Sequence, residues 1–174
     1  MSAGTGPGRR TWGWHRLEPE WAERVVATSG VRPGELVLDL GAGTGALVAP
    51  LLDAGARVVA VELHPRRADR LRTRFAGTAL RVVEGDLLTV PLPGRPFRVV
   101  AAPPYGLSTA LLRRLTARGS RLVAADLVLQ RAVVNRWAEP ARGRWQGGRG
   151  IGVPRKAFSP PPQVDSRVLQ LRRR

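Results

Sequence analysis

The sequence predicts an α/β fold: a doubly wound, mostly parallel sheet with helices on both faces. Three observations predict it. Short apolar segments alternate with helical ones along most of the chain, the pattern of a covered parallel sheet. Val37-Leu-Asp-Leu-Gly-Ala-Gly-Thr-Gly45 runs from an apolar strand through a glycine-rich turn into an apolar helix. Asp39, Glu62, Asp86 and Pro103-Pro-Tyr105 all fall at the C-terminal ends of expected strands. With right-handed crossovers, those ends form the ligand edge of the sheet.

The elements follow in order. Residues 1–16 read as a flexible basic N-terminal arm, since Gly, Pro and Arg dominate its start, and residues 17–174 read as one domain. Within the arm, Trp12-Gly-Trp14-His15-Arg16 alternates aromatic, small and basic residues, suited to stacking on bases, to lying over a cofactor or to anchoring the arm on the domain. A helix is expected over Glu18–Ser29, with Trp21, Val25 and Val26 near one face and Gly30 as its stop. Leu36–Leu40 is the first strand, Thr44–Ala54 a helix ended by Gly55, and Arg57–Glu62 the second strand. Pro65 suits the first turn of a helix to Phe75. Strands are expected at Leu80–Val83, Phe97–Ala101 and Arg121–Leu129, with helices at Ser108–Arg118 and Gln130–Ala138. Residues 140–150 read as a flexible basic loop, either a disordered connector or a segment that grips phosphate through Arg142, Arg144 and Arg149 and stacks a base on Trp145. Arg167–Leu171 closes the chain as a strand.

Composition bounds the partners. Twenty-nine Lys and Arg against thirteen Asp and Glu give a formal charge of +16, which favours a polyanion, nucleic acid first. The absence of cysteine excludes disulfides and Cys-ligated zinc. No apolar run approaches the roughly 20 residues of a membrane span, and no h-region marks a secretory signal. A cytoplasmic, monomeric protein without a membrane partner is expected.

The ligand edge has its own chemistry. Gly41, Gly43 and Gly45 let the backbone turn and approach a ligand closely. Glu62 at the end of the second strand suits both hydroxyls of a ribose. That serves a nicotinamide dinucleotide and S-adenosylmethionine alike. The G-x-G-x-G spacing departs from the dinucleotide fingerprint, and Asp86 is placed to accept from an adenine amino group, which favours S-adenosylmethionine. Ala102-Pro-Pro-Tyr105 stiffens the loop after the fourth strand and offers a ring to a flat substrate, such as a base taken from its helix.

These motifs, together with Val61-Glu-Leu-His-Pro65, Leu129-Gln-Arg131 and Phe158-Ser-Pro-Pro-Pro-Gln-Val-Asp-Ser166, resemble the Erm-type rRNA adenine N6-methyltransferases. The likeness runs from Trp12 to the C-terminus and is greatest to the short actinobacterial members. The related small-subunit rRNA adenine dimethyltransferases share almost every motif. The resemblance implies a Rossmann-like class I methyltransferase that uses S-adenosylmethionine. It implies that Asp39, Gly41, Gly43, Gly45, Glu62 and Asp86 hold the cofactor. Ala102, Pro103, Tyr105 and Phe158 would form the catalytic slot, with Tyr105 and Phe158 flanking the target adenine. The implied partner is large-subunit (23S) rRNA or its assembly precursor, and the implied consequence is macrolide, lincosamide and streptogramin B resistance.

Three departures from the family pattern stand out. Ala102 occupies the position where the family carries Asn or Asp, whose oxygen would accept a hydrogen bond from the target amine; this lowers the expected turnover and leaves a catalytically idle RNA-binding form as an alternative. Trp14-His15-Arg16-Leu17 stands in place of Gln-Asn-Phe-Leu. Most members carry a C-terminal helical domain, whereas this chain stops at Arg174, so Arg9, Arg10, the 142–149 segment and Arg172–Arg174 are expected to supply part of the RNA surface. Direct transfer needs no acid–base dyad, and His15 and His64 are read as partly exposed or structural.

Overall fold

The computed structural model describes residues 15–139 and 143–174. In chain order these form β1 (Arg16–Leu17), α1 (Pro19–Ser29), β2 (Leu36–Leu40), α2 (Val48–Asp53), β3 (Arg57–Glu62), α3 (Pro65–Arg74), β4 (Leu80–Glu84) and β5 (Phe97–Ala101). Then come α4 (Ser108–Thr116), β6 (Leu122–Gln130), α5 (Arg131–Ala138), β7 (Trp145–Val153), β8 (Phe158–Ser159) and β9 (Ser166–Arg173).

Seven strands make one sheet in the order β4-β3-β2-β5-β6-β9-β7. The first five run parallel, while β9 pairs antiparallel with both β6 and β7. Strand order reverses between β2 and β5, and a crevice at that point is where such sheets take ligands. The residues behind the two faces alternate. Val37, Val58, Ala60, Val100 and Val128 pack with α1, α2 and α3, whereas Leu38, Val59, Val61, Val99 and Leu127 pack with α4 and α5. This period of two fills both faces and makes the sheet doubly wound.

Helix ends differ from the expected spans by physical causes. Gly45 and the residues after it form turns, so α2 starts at Val48 rather than Thr44. Pro65 sits in the first turn of α3, where a missing N–H costs nothing. Gly30, at φ 71°, ends α1 in the left-handed conformation.

The 140–150 loop is a correction. From Trp145 the chain is the nine-residue strand β7, and Trp145 is 3% exposed in the core, not free to stack on a base. Its glycines are there for contact rather than looseness. A Cβ on Gly147 would lie 2.9 Å from Ala138 Cα, and one on Gly150 would lie 2.9 Å from Val168 Cβ. Pairing with β9 and packing of Trp145 outweigh the low strand propensity of Gly-Gly-Arg-Gly. Arg16, assigned to the arm by sequence, is in β1 and opposes Ser159 of β8.

Candidate active site

The chain's special residues converge beyond the C-terminal ends of β2, β3, β4 and β5. A cavity of about 230 Å³ opens there, bordered by Gly41, Glu62, Asp86, Ala102, Tyr105 and Phe158 among others. A smaller one beside it is bordered by Asp39, Gly41, Ala42, Thr44 and Ala102. The strand-to-helix turns put these groups on one edge because every parallel strand delivers its C-terminus to the same side.

Asp39, next to last in β2, is almost wholly buried, at 1% exposure. Its Oδ2 has no hydrogen-bond partner. Burial first, and the nearby Glu62 carboxylate second, push its pKa up to about 8. A buried, unpaired carboxyl beside a cavity suits a cationic group, and the ammonium of the methionine end of S-adenosylmethionine is one.

The three glycines of the loop are not equivalent. All have positive φ, 85° at Gly41, 58° at Gly43 and 89° at Gly45. Gly41 borders both cavities, and a Cβ on it would lie 3.3 Å from Leu87 Cδ2 and 3.5 Å from Pro104 Cδ. Gly43 turns its N–H to Glu62 Oε2 at 2.7 Å. Gly45 faces α3 instead, and a Cβ there would come within 2.8 Å of Leu71 Cδ2.

Glu62 is 4% exposed and holds the site's end of β3. Besides Gly43, it accepts from His64 N at 2.9 Å and from Arg67 Nε at 3.1 Å through Oε1. Oε1 is filled by its two donors, while Oε2, with one, keeps a lone pair for a ribose hydroxyl. Asp86 accepts from Leu88 N at 2.8 Å through Oδ1. Arg114 of α4 steadies this segment, donating to the Leu87 carbonyl at 2.8 Å and also to that of Val90. These acidic acceptors fit an adenosine with a cationic tail, and they would hold S-adenosylmethionine as the methyl source.

The loop after β5 shapes the other end. Pro104 caps a short 3₁₀ turn, Tyr105–Leu107, and Ser108 Oγ donates to the Tyr105 carbonyl at 2.8 Å. The Tyr105 hydroxyl and Ser166 Oγ are 2.5 Å apart, which fixes the ring. Burial raises the Tyr105 pKa, partly offset by the Ser166 bond, so the phenol stays neutral. Phe158 is 4% exposed, packed in the core and also bordering the larger cavity. Ala102 offers no side-chain acceptor, and Pro103 is buried next to it.

Sequence reasoning missed His15. Its ring lies 5.9 Å from the Tyr105 ring at 26° and 6.5 Å, edge-on, from Phe158. Its Nδ1 is 2.8 Å from the Pro160 carbonyl oxygen. The only hint in the sequence was its place directly after Trp12-Gly-Trp14, just before the domain; the pairing of β1 with β8 that carries it in is non-local.

The expected RNA contacts divide. Arg9, Arg10 and Arg142 lie outside the described residues. Arg144 donates to the Ala117 carbonyl at 2.6 Å, and Arg149 pairs with Glu139 at 2.5 Å. Arg172 is bound to buried Asp126 at 2.9 Å.

Fold and site together define a Rossmann-like methyltransferase. The family model described as "Ribosomal RNA adenine dimethylase" matches residues 15–146, and the chain belongs to that family. It is 35% identical to ribosomal RNA small subunit methyltransferase A of Thermosynechococcus vestitus, over 94% of this chain and 69% of the relative. The same enzyme of Leifsonia xyli subsp. xyli is 36% identical, over 98% and 68%. Among solved structures, the 23S rRNA methyltransferase ErmE is 32% identical with a TM-score of 0.81, over 93% of this chain and 70% of that one. A dimethyladenosine transferase from Plasmodium falciparum is 25% identical with a TM-score of 0.80, over 92% and 64%. No helix among the described residues is long and apolar enough to cross a membrane.

Proposed function

We propose that the chain transfers a methyl group from S-adenosylmethionine to N6 of an unpaired adenine in ribosomal RNA. The observation that carries this reading is the junction of two cavities at the β2/β5 reversal. One holds the buried Asp39 carboxyl, and the other is bounded by Glu62, Asp86 and the rings of Tyr105 and Phe158. The adenine N6 lone pair attacks the methyl carbon, the carbon–sulfur bond breaks with its electron pair going to sulfur, and N6 then sheds a proton. The protein's part is to align the two adenosines and exclude water. Tyr105 supplies a neutral ring face for the base, and the stiff Pro103-Pro104 loop holds its backbone carbonyls ready for the amine.

Two readings of the RNA each have support. The small-subunit methyltransferases among the sequence relatives favour small-subunit rRNA. The similarity to ErmE favours large-subunit rRNA, and with it macrolide, lincosamide and streptogramin B resistance. The sequence relatives weigh more toward the small subunit. The net charge of +16 suits either polyanion.

The test is tritiated methyl transfer to protein-free small- and large-subunit rRNA, with the labelled base mapped by primer extension. Label on one adenine supports the reading and names the subunit. RNA binding with no label on either RNA, by this chain and by Ala102→Asn, overturns it in favour of a binding protein of the same fold.

A further inference from the structure

Three described residues border both the larger and the smaller cavity: His15, Gly41 and Ala102. Of these, only His15 has a polar side chain. The junction is where a methyl group passes from one ligand to the other, if the proposed function holds, and the inference rests on that reading. An exocyclic amine attacking there needs an acceptor for its N–H, both to aim its lone pair and to receive the proton afterwards. Neither Gly41 nor Ala102 offers one from a side chain.

The tautomer of His15 follows from its partner. The Pro160 oxygen is a carbonyl and only accepts, so Nδ1 carries the hydrogen across the 2.8 Å contact. In the neutral ring Nε2 is then the acceptor, on the side away from Pro160. Tyr105 and Phe158 hold the ring on two further sides, at 5.9 Å and 6.5 Å between centroids. A side chain anchored at one nitrogen and boxed by two rings is pre-organised.

We infer that His15 is a catalytic residue, with Nε2 accepting from N6–H of the target adenine. As the N6–CH₃ bond forms and the S–CH₃ bond breaks, N6 becomes cationic and passes one proton to Nε2. The resulting imidazolium keeps its Nδ1–H on Pro160 and returns the Nε2 proton to solvent. No oxidant or further co-reactant is needed.

The test compares four proteins on whichever rRNA the parent chain labels: the parent, His15→Phe, His15→Gln, and His15→Phe with Ala102→Asn. S-adenosylhomocysteine affinity and thermal melting are measured for each. Imidazole ¹⁵N spectra of the parent, with His15 assigned by its loss in His15→Gln, report the tautomer. The expected loss for His15→Phe is about 100-fold in kcat, the size of a lost proton acceptor, with S-adenosylhomocysteine affinity within about threefold. His15→Gln keeps a hydrogen-bond acceptor to aim the amine but cannot take its proton, so it falls about tenfold below the parent, between the parent and His15→Phe. Ala102→Asn places a new acceptor at the same junction and recovers about tenfold in the His15→Phe background. The spectra show Nδ1 protonated and Nε2 bare. Full activity in His15→Phe would reduce the residue to a ring, and a matching fall in S-adenosylhomocysteine affinity would make it a ligand anchor; either overturns the inference, as does a protonated Nε2. If the parent labels neither RNA, the proposed function falls and the inference with it, a result distinct from an active parent matched by His15→Phe.

Discussion

Glu62 Oε2 accepts the Gly43 N–H at 2.7 Å, tying the end of β3 to the loop after β2 across nineteen residues of chain. Glu62 thus holds the loop in shape as well as facing the cavity. Glu62→Ala leaves the N–H groups of Gly43 and His64 without this acceptor. The expected cost is about 1–3 kcal/mol of stability, alongside loss of S-adenosylhomocysteine binding. Glu62→Gln keeps one acceptor oxygen and costs less stability. Urea denaturation and calorimetric titration on both variants check the separation; equal stability in Glu62→Ala and the parent would rule out the loop-holding part.

Asp39 predicts a pH dependence. Without ligand its carboxyl holds a proton up to about pH 8. A cationic group bound beside it favours the carboxylate, so binding expels that proton. Affinity for S-adenosylhomocysteine should therefore rise about tenfold per pH unit toward pH 8, then level. Calorimetry in buffers of different ionisation enthalpy should detect about one proton released near pH 7. Affinity that is flat between pH 6 and 8 would separate Asp39 from the ligand's cation.

The same carboxyl acts on stability with the opposite sign. Its folded pKa lies above the ordinary 3.8, so the folded state holds the proton more tightly than the unfolded one. Stability is lost as pH rises from about 4 to about 8 and the penalty is then constant. Asp39→Asn removes it. The Tm advantage of Asp39→Asn over the parent should grow from pH 5 to pH 8.5, even as the variant loses ligand affinity. An advantage that does not change with pH contradicts this.

Gly147 and Gly148 are neighbours in β7 with opposite demands. A Cβ at Gly147 meets the α5 backbone, with Ala138 Cα at 2.9 Å, whereas one at Gly148 has nothing nearer than Gln170 Cβ at 3.8 Å. Gly147→Ala is expected to cost about 1–3 kcal/mol and Gly148→Ala about nothing, read by chemical denaturation. Equal tolerance of both would mean that this segment is the loose loop its composition suggests.

Those two glycines also mark where the sequence stopped being legible. The strands from Leu36 to Glu62 were readable because β-branched and leucine runs there end in turn residues, a local signal. The acids and the Pro103-Pro-Tyr105 loop were readable because parallel topology alone assigns strand ends to one edge. β7 was not, since its Gly-rich pattern is explained only by α5 and β9 on either side. His15 was hidden for the same reason: β1 is two residues long and gains its place only from Phe158–Ser159, far along the chain.

Arg172 is bonded into the fold rather than free for RNA. Composition groups it with Arg173 and Arg174 as a basic tail for RNA, but its guanidinium donates to Asp126 Oδ1 at 2.9 Å and to the Ala125 carbonyl at 3.1 Å. Asp126 is 0% exposed, and burial raises its pKa despite the opposing pull of Arg172. Arg172→Met leaves that carboxyl with the Gln170 amide at 3.2 Å as its remaining hydrogen-bond donor. With the arginine side chain 38% exposed, solvent screens part of the pair, and the expected loss is about 2–3 kcal/mol rather than the 3–5 of a fully buried one. Because the carboxyl then takes up a proton more readily, the loss should shrink as pH falls. Arg173→Met is exposed and should leave stability unchanged while lowering the salt dependence of RNA binding. If Arg172→Met instead weakens RNA binding with no change in the urea midpoint, the tail acts as one RNA surface and the Asp126 bond is incidental.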